Sequence, residues 1–309
     1  MRDRLDHLPQ PIRGELHRLI AMLVEAFADA LPRNFATGRI LKLILHGPHA
    51  RLDWSAVAPG ATIHLLAIVN DPRLARKQQV WGLVHDQLRR AWEFGEIAHP
   101  VRLAVYSLEQ VNRELAQGIP HFVTATFEGI VLHEVDGTSL KPPRRLSAPE
   151  RRARAQAEYG RWHGRASDFL TGAAFYDARD NAPMAALMLH QACEHLYHCV
   201  VWTMTLYGPR THALDQLRED AEALDARLCT AWPRDTPFER RAFGCIRRAY
   251  VEVRYGDSFR ISPEELAWAM ERTATLHTLV TQICGEEPSP SANTPCPASP
   301  IIHGDHHVS

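Results

Sequence analysis

The sequence predicts an α+β protein in which a small α/β domain is followed by an all-α helical bundle. Short apolar runs bounded by Gly, Pro and Asn alternate with helical patterns before residue 137. Every pattern after residue 149 is helical. The stretch 137–149 between them is rich in Pro and polar residues, which is typical of a linker. We therefore expect domains over 1–136 and 150–284.

The first domain alternates strand and helix patterns. Stretches with strand character are 41–45, 63–69, 101–106 and 129–132. The first two are continuously apolar, which favours strands buried on both faces, whereas 101–106 alternates and predicts a half-buried strand. Apolar residues at helical spacing predict helices over 12–31 and 72–94.

The second domain carries five helical patterns joined by short connections, and this predicts an up-and-down bundle. The predicted helices are 150–180, 183–206, 213–231, 237–254 and 263–284. The last opens with Ser262 as N-cap, Pro263 at the first helical position and Glu265 as the partner of a capping box.

Composition excludes several classes of protein. Lys and Arg number 35 against 36 Asp and Glu, which rules out a uniformly basic nucleic-acid coat and an acidic disordered chain. No apolar run approaches a membrane span, and the charged N-terminus lacks a signal peptide. Six scattered cysteines without a CxxC pair favour a cytoplasmic protein with free thiols and no zinc site. The Pro- and Ser-rich tail, 285–309, is predicted to be disordered.

A glycine turn follows the first predicted strand. Gly47 leads to Ala50 and Arg51, and a second apolar strand opens with Thr62 and His64. This order resembles the nucleotidyltransferase fold of the polymerase-beta superfamily. The resemblance implies a helix N-terminus that holds a triphosphate and two carboxylates, one residue apart, that hold Mg²⁺.

The chain departs from that family where the chemistry is done. Pro48 removes a backbone donor from the turn, and Thr62 and His64 stand in place of the two carboxylates. A neutral Thr and His pair is a poor site for a hard cation, so we expect no metal and no nucleotidyl transfer. Two interpretations stay open: strand-entry residues only, or a metal-free phosphate pocket formed by Gly47, Arg51 and His64.

Three motifs in the second domain occur in order at bundle spacing. They are Leu-His-Gln-Ala-x-Glu at 189–194, Gly-x-x-Thr-His-x-Leu at 208–214 and Ala-Tyr-Val-x-x-Arg-Tyr at 249–255. Together they resemble the HEPN domain, and fusion to a preceding nucleotidyltransferase-like domain is a recognisable prokaryotic architecture. The resemblance covers about residues 10–284.

Many HEPN proteins are metal-independent ribonucleases that use an Arg and a His a few residues later, often completed across a dimer. The resemblance implies that Arg254 is this Arg, but Phe259 and Arg260 stand at the second position. The site residues expected are therefore Arg254 with Glu194 or His190 for catalysis, and Arg254 with Arg260 for phosphate. A homodimer through this domain is expected as well, because the helix 183–206 is apolar on most sides.

His190, Glu194 and His198 recur every four residues on that helix, so they share a face that is either a solvated edge or the polar wall of a groove. We interpret His212 as a structural turn residue and Tyr250 as a packing residue.

The sequence thus favours a regulatory or defence protein of prokaryotic type that binds nucleotide or RNA without a cofactor. Alternatives are a toxin-type HEPN ribonuclease and, more weakly, a nucleotidyltransferase.

Overall fold

The chain forms two compact units, one spanning Met1–Leu146 and the other beginning at Ser147. The structure is a computed structural model that describes residues 2, 4–51, 57, 60–135, 137–208, 211–256 and 258–285. The predicted tail lies outside the described residues apart from Gly285, which is the last residue of a helix.

The first unit contains a four-stranded mixed sheet with the strand order β3-β2-β1-β4. Its elements are α1 (Gln10–Ala30), β1 (Ile40–His46), β2 (Ile63–Val69), α2 (Pro72–Ala75), α3 (Gln78–Glu93), β3 (Val101–Ser107), α4 (Leu108–Gln117), α5 (Pro120–Glu128) and β4 (Ile130–Glu134). β1 runs antiparallel to β2 and β4, whereas β2 and β3 are parallel.

The four predicted strands are confirmed, and the two continuously apolar ones are the central pair of the sheet. Helix α1 packs on α3, where Phe27 and Trp81 stack with their ring centroids 5.1 Å apart. The prediction of one helix over 72–94 is wrong, because a first helix ends at Ala75 and a second begins at Gln78. Trp81 Nε1 donates to the Leu74 carbonyl across this break, at 2.8 Å.

The second unit is a helical bundle. Its helices are α6 (Ala148–Asp177), α7 (Ala182–Thr205), α8 (Leu214–Leu224), α9 (Pro237–Tyr255) and α10 (Pro263–Gly285). The helix expected over 213–231 ends at Leu224. Asp225 is extended there, and its side chain accepts from the Arg227 backbone to start a separate 3₁₀ turn over Ala226–Thr230. The predicted capping box is confirmed, since Ser262 Oγ accepts from the Glu265 backbone at 3.2 Å and Glu265 Oε2 accepts from the Ser262 backbone at 2.9 Å.

Helix α7 is the centre of the bundle. It packs against α6, α8, α9 and α10 and is buried along most of its length. Its wide apolar surface, which led us to expect a dimer, is therefore covered by helices of the same chain. None of the described helices combines the length and apolarity needed to cross a bilayer.

Candidate functional site

Glu194 is the centre of a polar cluster in the bundle, although its side chain is nearly buried, with 4% of the residue exposed. Its Oε1 lies 2.9 Å from His212 Nδ1, and its Oε2 accepts from Gln191 Nε2 at 3.2 Å. His190 Nε2 lies 3.5 Å from the same Oε2. Because a buried carboxylate is stable only with such partners, these contacts fix its position and orientation.

Helices α7 and α9 together build this Glu194 cluster. His190 lies one turn before Glu194 on α7, and its Nδ1 donates to the Ile246 carbonyl on α9 at 3.0 Å. His212 comes from the segment between α7 and α8. With 69% of its side chain exposed, His212 is the member of the cluster that reaches solvent.

Tyr250 of α9 joins the cluster to Arg254. Its ring is nearly parallel to the imidazoles of His190 and His212, with centroids 5.2 Å and 5.7 Å away. The Arg254 Cζ lies 4.8 Å from the Tyr250 ring centroid and 5.0 Å from that of Tyr255. A cation over an aromatic face is attracted by the ring quadrupole, so the two rings hold this guanidinium in place at the surface.

The charge of Glu194 is set by two opposing effects. Burial raises the pKa of the carboxyl, but the neighbouring imidazoles of His190 and His212 outweigh burial and hold that pKa below its usual value. Glu194 is therefore a carboxylate at neutral pH. A carboxylate that accepts from Nδ1 of His212 leaves Nε2 of that imidazole free to accept a proton.

The structure thus brings together three residues that the sequence singled out, Arg254, Glu194 and His190. His190 is itself 1% exposed and bonded to backbone, so it positions Glu194 and does not reach a ligand. His212, which we interpreted as a structural turn residue, bonds the buried carboxylate of Glu194, and its side chain is exposed to solvent.

The stripe of His190, Glu194 and His198 is not a solvated edge, because all three residues are buried. His198 stacks on Trp162 of α6, with centroids 4.7 Å apart. The shared face is therefore packed inside the bundle, where His198 contacts α6 and His190 bonds to the backbone of α9.

Phe259 and Arg260 stand at the position where the resemblance to the HEPN domain led us to look for a second catalytic residue. Phe259 is 4% exposed and belongs to the bundle core. Arg260 is exposed, and its Nη1 donates to the Phe259 carbonyl at 2.7 Å. The hydrogen bonds to Glu194 described above come instead from α7 and from the segment that follows it.

The glycine turn of the first unit is differently built from the expected phosphate loop. Gly47 has φ 72°, in the left-handed region, and the chain then forms only a 3₁₀ turn over Pro48–Ala50. Three residues do not make the N-terminus of a helix that could hold a triphosphate. His64 lies against Gly47, since a Cβ there would be 3.4 Å from the imidazole Cδ2, whereas Arg51 is exposed at the end of the turn.

Histidines surround this turn. The ring of His46 lies 5.6 Å from that of His64 and 5.2 Å from that of His121. Burial, helped by the neighbouring histidines, lowers the pKa of His46 and His64 to about 3 and that of His121 to about 4. Arg102, paired with His64 across β2 and β3, contributes to the low pKa of His64. The group is therefore neutral at physiological pH and next to a fixed cation.

Such a group is unsuited to Mg²⁺, which takes oxygen ligands and is stabilised by negative charge. Among the residues that the structure describes, no set of three or more His, Cys, Asp or Glu is arranged to hold a metal ion. No family model matches this chain, and no curated protein matches it.

Proposed function

We propose that the helical unit is a HEPN-type module that binds the phosphate of nucleotide or RNA at Arg254, beside the Glu194 cluster. The observation that carries this proposal is the exposed guanidinium of Arg254, held over two tyrosine rings next to a histidine that a buried carboxylate orients. Its planar fork of donors fits two phosphate oxygens and stays charged at every relevant pH.

The first unit enters the proposal as a nucleotidyltransferase-like domain without transfer chemistry. Neutral histidines and Arg102 occupy the region where the family has carboxylates. A chain that combines a nucleotide- or RNA-binding module with a catalytically inactive transferase-like domain is suited to a regulatory or defence role in the cytoplasm of a prokaryote.

Substitution of Arg254 by Lys tests the binding site. Charge persists but the fork is lost, so the Kd for a labelled uridine oligonucleotide should rise roughly 5- to 150-fold, which corresponds to about 1–3 kcal/mol. The thermal midpoint should stay nearly unchanged, since an exposed cation over a ring contributes little to folding. Binding is measured by fluorescence anisotropy in EDTA.

The matched control is Arg241→Lys. Arg241 is also exposed and lies over a ring, with its Cζ 5.8 Å from the Phe238 centroid, but on the first turns of α9. Arg241→Lys should bind RNA as the parent does. If Arg254→Lys binds as the parent does and unfolds several degrees earlier, Arg254 is structural and the proposal fails.

A second candidate function is metal-independent RNA cleavage, and the Glu194–His212 pair favours it. His212 Nε2 would take the proton of a ribose 2′-hydroxyl while that oxygen attacks phosphorus. The bond to the 5′-oxygen breaks and water protonates the leaving oxygen, which gives a 2′,3′-cyclic phosphate and a 5′-hydroxyl. Arg254 would neutralise the charge that develops on the phosphate oxygens.

His212→Gln tests this candidate, because the amide of Gln can still donate to the buried Glu194 carboxylate but cannot take up a proton. Cleavage of end-labelled RNA in EDTA should fall about 10²- to 10⁴-fold, the usual contribution of a general base. The exposed His17 of α1 provides the control variant, His17→Gln, which should cleave normally. Cleavage that survives His212→Gln unchanged would exclude this mechanism.

A further inference from the structure

Six side chains of α6 and α7 form a second group beside the Glu194 cluster, which we call the aromatic–arginine band; its two arginines are exposed, its tryptophans are half-buried and its His198 is buried. Its members are Arg161, Trp162, Arg165, His195, His198 and Trp202. The indoles of Trp162 and Trp202 are nearly parallel, at 21°, with their centroids 6.4 Å apart.

Arginine covers the two indoles from the solvent side. The Arg161 Cζ lies 4.7 Å from the Trp162 centroid and 5.6 Å from that of Trp202. Arg165 Cζ lies 6.0 Å from the Trp162 centroid. Both arginines are exposed, and only Arg161 has a carboxylate close by, Glu158 at 2.7 Å.

The surface of α6 continues the positive charge. Arg151, Arg154, Arg161 and Arg165 follow at spacings of three, seven and four residues, which puts them on one face of the helix. Glu158 lies within this row of arginines and accepts from Trp162 Nε1 at 3.1 Å, and Glu150 and Asp168 lie at its two ends. At 1.5 Å per residue the face is about 21 Å long, which is room for several nucleotides.

The band adjoins the Glu194 cluster directly. His195 follows Glu194 on α7, and Glu194, Arg165 and His212 all act electrostatically on it. His195 also lies beside Trp162, with centroids 5.4 Å apart. A chain of cations and rings therefore runs from α6 across α7 to Arg254 on α9.

Flat rings that alternate with exposed arginines are the features that recognise single-stranded nucleic acid, since bases stack on the rings and phosphates pair with the cations. A stacked base is held more strongly than a guanidinium over an exposed ring, so a base that enters over the indoles can replace Arg161 and free it for phosphate.

We propose that the aromatic–arginine band is a base-stacking subsite for single-stranded RNA, which leads a phosphodiester to Arg254. This proposal rests on the proposed function, because it takes Arg254 as the phosphate site. It adds the requirement that the ligand is longer than one nucleotide and has unpaired bases.

The experiment compares a fluorescein-labelled uridine 12-mer with UMP, and with a duplex RNA of the same length, on the full chain in EDTA. The single strand should bind far more tightly than either of the others, because only it can stack bases on the band while it contacts Arg254. Equal affinity for the single strand and the duplex would overturn base stacking.

Two variants locate the binding. Trp162→Leu should raise the Kd of the 12-mer roughly 5- to 150-fold, the range expected for the loss of one stacking contact, and should leave the Kd of UMP unchanged. That unchanged UMP binding also shows that the variant is folded. Arg161→Gln with Arg165→Gln should reduce the slope of log K against log salt by about 1.4, since each phosphate contact on a single strand adds about 0.7.

Arg241→Gln is the control, because Arg241 is an exposed arginine that has a ring and a carboxylate, Glu265, close by, as Arg161 does. It should leave affinity and salt slope as in the parent. The aromatic–arginine band is not an RNA subsite if the double variant has the same slope of log K against log salt as the parent. The same conclusion follows if Arg241→Gln reduces that slope as much as the double variant does. If UMP and the 12-mer bind with equal affinity, and if that affinity depends on Arg254 but not on Trp162, the proposed phosphate site at Arg254 is supported and the proposed stacking subsite is wrong.

Discussion

Three half-buried histidines make the first unit sensitive to acid. His46, His64 and His121 have their pKa lowered by burial to about 3, 3 and 4 in the folded chain, against 6.5 when exposed. Between pH 6.5 and about 4 the unfolded chain therefore binds more protons, so the stability is complete above pH 6.5 and is lost as the pH falls below it. Each histidine that stays neutral contributes a slope of about 1.4 kcal/mol per pH unit.

His121→Gln should accordingly lower the dependence of the unfolding free energy on pH by about 1.4 kcal/mol per unit between pH 6 and 5. Hydrogen exchange of peptides from β1 and β2 during urea titration measures this for the first unit alone. His17→Gln, at an exposed position, should keep the parent slope. An unchanged slope for His121→Gln would mean that this imidazole is protonated in the folded chain.

Individual residues of the site could be predicted only where a sequence motif marked them. Arg254, Glu194 and His190 were found because they belong to motifs on α7 and α9. The bond from His212 to Glu194 was not predicted, because it joins residues 18 positions apart, which no local pattern shows. Trp162 and Trp202 carry no motif at all, and their pairing follows from the packing of α6 on α7.

At the scale of elements, the turn after α4 depends on a glycine. Gly118 ends the helix with φ 71° and ψ 32°, and its N–H bonds to the carbonyls of Glu114 and Leu115. A Cβ on Gly118 would lie 2.9 Å from the backbone oxygen of Arg144. Both the left-handed backbone and the close approach therefore require a residue without a side chain.

Gly118→Ala should lower the unfolding free energy by roughly 2–5 kcal/mol, the sum of left-handed strain and the displacement of the segment that holds Arg144. Gly95→Ala separates the two costs, since Gly95 has φ 76° but open space around its Cβ position. It should cost about 1–2 kcal/mol. If urea denaturation shows that Gly118→Ala and Gly95→Ala lower the unfolding free energy equally, the contact with Arg144 does not contribute to stability.

Elements were predicted well where hydrophobic periodicity was strong. The four strands and the helices of the bundle follow from their apolar patterns, because each buries a continuous face. Helices α4 and α5 were not predicted from the pattern of residues 108–128. Both are short, at 10 and 9 residues, and Gly118 and Pro120 lie between them.

At the scale of the whole molecule, the expected homodimer loses its packing argument but stays a prediction of the resemblance. The chain covers α7 with its own helices. The surface that remains available for a two-fold interface is the apolar and cationic end of α9, where Val251 is 57% and Tyr255 74% exposed. Such a pairing would bring two Arg254 side chains toward one cleft.

Sedimentation velocity at roughly 50 μM should show a dimer, and Val251→Glu should convert it to a monomer, because a charge in an apolar interface stays unpaired. Leu83→Glu in the first unit, at a site 61% exposed, is the control and should leave the dimer intact. A parent chain that sediments at 34.9 kDa contradicts the prediction.

The central claim is that RNA binds to the helical unit across α6, α7 and α9. The most direct measurement is photo-crosslinking of the full chain to a single-stranded RNA that contains 4-thiouridine, followed by mass spectrometry of the modified peptides. We expect nucleotide adducts on peptides that contain Trp162 and on peptides that contain Tyr250 or Tyr255, and we expect unlabelled RNA to compete them away. Adducts confined to residues 1–146, or spread over the chain without competition, would contradict the claim.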